Sequence, residues 1–223
     1  MHPNAQERPS VSLVAVDEPV LAKLVAVAST SATAGEVTPA LTPGNDWNPQ
    51  RIAWLERFHR ERRGGLDGPK GEATWAVVVD GWVVGSVRLK ALPERHVVET
   101  GIWLARSARG RGIGRQAVAS VLDHAAGAGA HEVRAETTPA NRAAQGLLRS
   151  LGFELVVGGE DKIRGRLAPL GRMLGVPIAS TPPTSSAAAP RQRRDPSLPL
   201  GAGRLSVDST EEGREGTSRP GQE

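Results

Sequence analysis

GIWLARSARGRGIG, residues 101–114, changes character within one short stretch. Its start completes an apolar run, Val97–Leu104, that reads as a β-strand. Its end opens a segment in which Ile113, Ala117, Val121 and Ala125 recur every four residues, with Val118 and Leu122 beside them. That spacing predicts one buried face of a helix. Between the two lies Arg109-Gly110-Arg111-Gly112-Ile113-Gly114. A glycine turn at this position brings bare backbone close to a ligand. The helix that follows offers N–H groups without intrahelical partners and a partial positive charge. Arg109 and Arg111 add fixed positive charge. Together these predict a grip on the phosphates of a nucleotide-type cofactor. Two commoner phosphate motifs are excluded by spacing. The dinucleotide pattern G-x-G-x-x-G, counted from Gly110, meets Arg115 where its last glycine belongs, and no Gly-Lys-Ser/Thr ending is present.

The elements around this turn follow from periodicity and capping residues. Val11–Val16 reads as a strand. Asp17 caps a helix over Glu18–Ala28 with Pro19 in its first turn. A loop rich in Thr, Pro and Gly runs from Ser29 to Trp47. Asn48-Pro49 then opens a helix with Ile52, Leu55 and Phe58 on its apolar stripe and Arg60, Arg62 and Arg63 at its end. TWAVVVDGWVVGSVRL, residues 74–89, reads as a hairpin turned by Asp80-Gly81. Gly127 and Gly129 stop the helix after the glycine turn. Glu132–Thr137 is a strand, and Thr138-Pro139 starts a helix with Ala144, Leu147, Leu148 and Leu151 on its stripe. Gly152 ends it, and Phe153–Val157 and Lys162–Leu167 are the last strands. The fold class is α/β (α+β): a mixed, mostly antiparallel sheet of about seven strands with helices on both faces.

This folded domain is expected over residues 10–168. Residues 177–223 are dominated by Pro, Ser, Gly and Ala and are expected to form a disordered tail. Its cluster Arg191, Arg193 and Arg194 is answered by Asp208, Glu211, Glu212 and Glu215, so the tail carries no consistent field. The chain has 223 residues, no cysteine, no tyrosine and a net charge of +4. Without cysteine there are no disulfides, thiolate metal sites or cysteine nucleophiles. The histidines are scattered, and no metal is expected. No apolar run suits a membrane span or a secretory signal, so the expected location is the cytoplasm. Aromatic residues are too few to interleave with the arginines, which ranks nucleic-acid binding last.

Two stretches together resemble the GNAT superfamily of N-acetyltransferases. Arg109-x-x-Gly112-x-Gly114 after a strand is similar to the family's acetyl-CoA-binding turn. NRAAQGLLRSLGF, residues 141–153, is similar to its asparagine-bearing helix that ends in Gly-Phe. The resemblance runs from Ser10 to Leu167. Glu99-Thr-Gly-Ile-Trp-Leu104 and the later helix look closest to the ribosomal-protein alanine acetyltransferase branch.

The resemblance implies acetyl transfer from acetyl-CoA to a primary amine, on a protein N-terminus or a small molecule, in a monomer or homodimer. It implies that Leu104 and Ala105 pair with the pantetheine arm as an added strand would. It implies that Arg109, Gly110, Arg111, Gly112, Ile113, Gly114 and Arg115 hold the pyrophosphate, and that Asn141 lies beside the thiol. Glu99 is the expected base, directly or through water, with pairing to Arg95 as the bland reading. Glu136 is the second candidate. Acceptor choice is expected from residues 29–47 and 158–162. The family's tyrosine acid falls on Leu148, so that acid is not carried over. For the same reason a non-catalytic acyl-CoA sensor is the alternative function.

Overall fold

The computed structural model describes residues 9–159 and 161–168; the expected tail at 177–223 lies outside the described residues. The described chain runs β1 (Val11–Ala15), α1 (Glu18–Ser31), α2 (Ala34–Val37), α3 (Pro49–Glu61), β2 (Glu72–Val79), β3 (Trp82–Ala91) and β4 (Val97–Leu104). It continues with α4 (Ile113–Gly127), β5 (Glu132–Thr137), α5 (Arg142–Ser150), β6 (Glu154–Gly158) and β7 (Lys162–Leu167). The strands form one seven-stranded sheet in the order β1-β2-β3-β4-β5-β7-β6. Only β4 and β5 are parallel; the other neighbours are antiparallel. The expected fold class is the one observed. No helix among the described residues is long and apolar enough to cross a membrane.

Alternation along the strands divides the core between two faces. Val77, Val87, Leu89, Val98, Ile102 and Leu104 pack with α4 and α5 on one face. Ala76, Val83 and Trp103 pack with α1 and α3 on the other. Both faces are therefore covered by helices, as expected. Asp80 (φ 50°) and Gly81 (φ 85°) make the tight hairpin between β2 and β3. Asp17 Oδ1 accepts from Val20 N at 2.9 Å, and Asn48 Oδ1 accepts from Arg51 N at 3.0 Å. These two predicted caps stand.

Three expectations are corrected. The helix expected from Thr138-Pro139 begins at Arg142, because Asn141 caps it by accepting from Ala144 N at 2.9 Å. Residues 138–140 form a turn before it, and Gln145 Nε2 binds the carbonyls of Thr138 and Pro139 at 3.1 and 2.9 Å. The buried face of α3 is Arg51, Leu55 and His59, while Ile52 and Phe58 are only half-buried. Arg51 tolerates burial because its guanidinium donates to Thr38 Oγ1, Pro39 O, Thr42 Oγ1, Thr42 O and Gly44 O. Residues 29–47 are more ordered than the composition suggests. They hold the end of α1 and all of α2, and Trp47 Nε1 donates to Ala32 O at 2.9 Å.

One glycine sets how closely β3 meets the end of β4. Gly85 pairs with Leu104, and a Cβ on Gly85 would lie 2.2 Å from Trp103 O and 2.9 Å from Leu104 Cα. Those are backbone atoms and cannot rotate away. Gly85→Ala is expected to cost roughly 3 kcal/mol, the upper end for overpacking a tight site. Chemical denaturation of the two proteins measures it; equal midpoints would show that β3 and β4 separate without cost.

Candidate active site

The sheet opens at one place. β4 and β5 pair from Val97↔Glu132 only as far as Thr100↔Ala135. β4 continues along β3 to Leu104↔Gly85, whereas β5 continues along β7 to Thr137↔Ile163. Among the described residues, no strand therefore pairs with the β5-facing edge of residues 101–104. Backbone N–H and C=O groups on such an edge are a template for an extended ligand.

The glycine turn closes the end of this opening. Gly112 has φ 77°, precedes α4 and brings no side-chain cap. The first backbone bond of α4 is Gln116 N to Gly112 O at 3.2 Å, which leaves the N–H groups of Ile113, Gly114 and Arg115 outside the helical ladder. A Cβ on Gly112 would meet nothing within 4 Å, so the turn borders open space. That space is a cleft of about 350 Å³. Leu104, Arg109, Gly110, Gly112, Gly114, Arg115 and Asn141 all line it. Of the other residues expected at the cofactor, Ala105 and Ile113 are buried in the protein and Arg111 is exposed outside the lining. Sequence reasoning missed the contribution of α5, where Ala143, Gly146 and Ser150 line the cleft. Their spacing of three and four puts small residues on one helix face, and that was the available signal.

Two lining side chains are already engaged by the protein. Asn141 is buried and caps α5. Arg109 Nε donates to Leu104 O at 2.9 Å, and its Nη2 lies 2.9 Å from Glu36 Oε1. Glu36 in turn accepts from Thr33 N at 2.6 Å, inside a capping box at the start of α2. Burial acts to raise the Glu36 carboxyl, but the Thr33 amide and the Arg109 guanidinium outweigh it and hold the group below the usual carboxylate range. Arg109 thus ties the end of β4 to α2. Thr33-x-x-Glu36 was legible as a capping box; its link to Arg109 was not.

Glu99 sits elsewhere. With Gly101 and Trp103 it belongs to the β4 face that meets α3, and it does not line the cleft. Its partner is Arg88, not Arg95. Arg88 Nη2 donates to Glu99 Oε1, Arg88 Nη1 donates to Glu72 Oε1 at 3.0 Å, and Arg62 Nε donates to Glu72 Oε2 at 2.6 Å. Glu136 is held by Lys162 and Arg164 at 3.5 and 3.6 Å. A second cavity, about 40 Å³, lies on the Glu99 face under α3 and includes Glu36, His59 and Arg88 in its walls. Ile102 and Trp103 line both cavities, so one stretch of β4 separates them. His59 Nδ1 lies 3.0 Å from Thr74 Oγ1. Burial, then the charges of Arg62 and Arg63, push the His59 pKa down to about 3, so the ring is neutral. Among the described residues, no three His, Asp or Glu side chains gather as a metal would require.

Residues 43–153 match the model of the acetyltransferase (GNAT) family. No curated protein matches the sequence. Solved structures that share the fold include these three. The GNAT domain of S. lividans PAT is 16% identical, with a TM-score of 0.55 over 72% of this chain and 90% of that one. A dodecameric spermidine N-acetyltransferase from Vibrio cholerae is 16% identical, with a TM-score of 0.55 over 74% and 97%. RimL, a ribosomal L7/L12 alpha-N-protein acetyltransferase in complex with coenzyme A, is 17% identical, with a TM-score of 0.55 over 71% and 94%.

The buried imidazole gives the fold a defined acid sensitivity. Between about pH 6.5 and 3 the unfolded chain binds a proton at His59 that the folded chain does not. Stability therefore falls as pH falls through that window and is fully present above it. Going from pH 6.5 to pH 5 is expected to cost about 2 kcal/mol through this residue. Urea midpoints at the two pH values should fall further for the wild type than for His59→Gln. Equal losses would mean that the folded protein also accepts the proton.

Proposed function

We propose that this chain, whose residues 43–153 match the acetyltransferase (GNAT) family model, is an acetyl-CoA-dependent acyltransferase that moves the acetyl group to a primary amine, on a protein N-terminus or a small molecule. The observation that carries this reading is one cleft bordered by a free strand edge, the glycine turn and Asn141. The residues suit acetyl-CoA. The edge of residues 101–104 offers backbone partners for the pantetheine arm, and the uncapped N-terminus of α4 offers N–H donors to the pyrophosphate. Arg115 adds positive charge at the rim. Arg109, already tied to Glu36, serves by holding the strand end in place.

In this reading the amine attacks the thioester carbonyl. A C–N bond forms, the C–S bond breaks, and coenzyme A leaves as the thiolate. Glu99, reached directly or through water, takes the proton that the ammonium must lose. It stands on β4 two residues before the free edge, and Arg88 fixes its carboxylate. Leu148 fills the family's tyrosine position and is buried in the core, so the thiolate takes its proton from water or from another residue. The choice of a ribosomal-protein N-terminus as acceptor is supported by the resemblance of residues 99–104 to that branch. The cytoplasm and a monomer or homodimer complete the reading; the cysteine-free composition suits a reducing compartment.

Incubation with acetyl-CoA and a panel of peptides and amines should release coenzyme A and give acceptors heavier by one acetyl group. Tight acetyl-CoA binding with no acetylated product would identify a sensor instead, and failure to bind acetyl-CoA would remove the cleft assignment. Gly112→Asp and Gly112→Asn share the same backbone strain at positive φ, but only the first brings a carboxylate to the pyrophosphate. Gly112→Asp should bind acetyl-CoA roughly tenfold more weakly than Gly112→Asn by calorimetry; equal affinities would place the phosphates elsewhere. Glu99→Gln should lower kcat roughly a hundredfold and leave acetyl-CoA affinity intact. An unchanged rate would exclude Glu99 as the base.

A further inference from the structure

The cavity on the Glu99 face is too small for a whole acceptor. Its volume of about 40 Å³ has room for roughly three water molecules. It can take a group of two or three heavy atoms. Trp54 and Phe58, stacked with centroids 4.9 Å apart, and Trp103 supply apolar walls. The polar groups in its walls are mostly occupied. Ser86 Oγ donates to Trp75 O at 2.9 Å, and Arg88 holds Glu72 and Glu99. His59 differs. The residue is 1% exposed and lines the cavity, and its Nδ1 faces Thr74, yet its Nε2 is buried with no hydrogen-bond partner. An orphaned polar atom of this kind is rare in a folded protein and asks for an occupant.

The chemistry of that occupant can be narrowed. The contact with Thr74 Oγ1 is satisfied by either tautomer of the ring, so Nε2 is a donor in one and an acceptor in the other. An ammonium only donates and a carboxylate only accepts, so each pairs with one tautomer alone, whereas a hydroxyl serves both. The cavity also shares Ile102 and Trp103 with the acetyl-CoA cleft, so a group seated in it lies one strand away from the reaction.

We propose that His59 is a specificity residue whose Nε2 pairs with a hydroxyl of the acceptor, so that the preferred substrates are amines bearing a hydroxyl on a short carbon spacer. This rests on the amine acetyltransferase reading above. Two isosteric pairs test it on the full chain with saturating acetyl-CoA. One is a peptide beginning with serine against the same peptide beginning with 2-aminobutyrate; the other is 1-amino-2-propanol against isobutylamine. In at least one pair the wild type should favour the hydroxylated member roughly tenfold or more in kcat/KM, carried mainly by KM. In His59→Leu that ratio should fall to about one, with acetyl-CoA affinity retained. Should His59→Leu fail to fold, Thr74→Val, which removes the partner that orients the ring, should lower the ratio several-fold. A wild-type ratio near one in both pairs, or a ratio that survives these substitutions, overturns the role of His59 while acetylation itself persists. No acetylation of any acceptor, with acetyl-CoA bound, would overturn the acetyltransferase reading and this inference with it.

Discussion

The arrangement rests on four rungs of parallel pairing that stop. β4 and β5 share a ladder only from Val97↔Glu132 to Thr100↔Ala135. Beyond it each strand is held by a different neighbour, β4 by β3 and β5 by β7. Parallel strands cannot be joined by a tight turn and need a crossover, which here is built around α4. That requirement places the start of α4 just after the end of β4. The free strand edge and the uncapped helix N-terminus are thus two results of one topological constraint. The two cavities follow from it as well, because residues 102 and 103 form a wall with opposite faces pointing into different spaces.

The charged residues on the α3 face obey a second constraint. Glu72 and Arg88 are almost fully enclosed, and each is bound by partners on both sides in the series Arg62, Glu72, Arg88, Glu99. Enclosing ions is costly, and removing one member leaves its neighbours unpaired in a poor solvent. The alternation of sign along the series is what makes it tolerable. It also fixes the Glu99 carboxylate by a chain of contacts that begins at Arg62, the residue that closes α3.

Much of this was legible from local pattern. Every strand, the Asp80-Gly81 turn and the start of α4 follow from spacing, capping residues and glycine placement, and the residues of the glycine turn largely converge on one cleft. What escaped was non-local. Arg88 pairs with Glu99 because the β3–β4 register sets Arg88 opposite Gly101, which makes Glu99 its diagonal neighbour; no spacing within one segment reveals that. The buried face of α3 is hidden from periodicity because two of its three residues, Arg51 and His59, are polar and are accommodated by partners contributed from other segments. Thr138-Pro139 has the form of a helix opening, and only the turn held by Gln145 shows why α5 starts later.

Arg51 has a consequence beyond α3. Its five hydrogen bonds gather the backbone and hydroxyls of residues 38–44 onto a single side chain and so cross-link a loop with little core of its own. In a chain without cysteine this is a staple that no reductant can open and no oxidant needs to make. It closes and breaks with folding itself, so the loop beside the smaller cavity keeps its shape under any thiol balance of its surroundings.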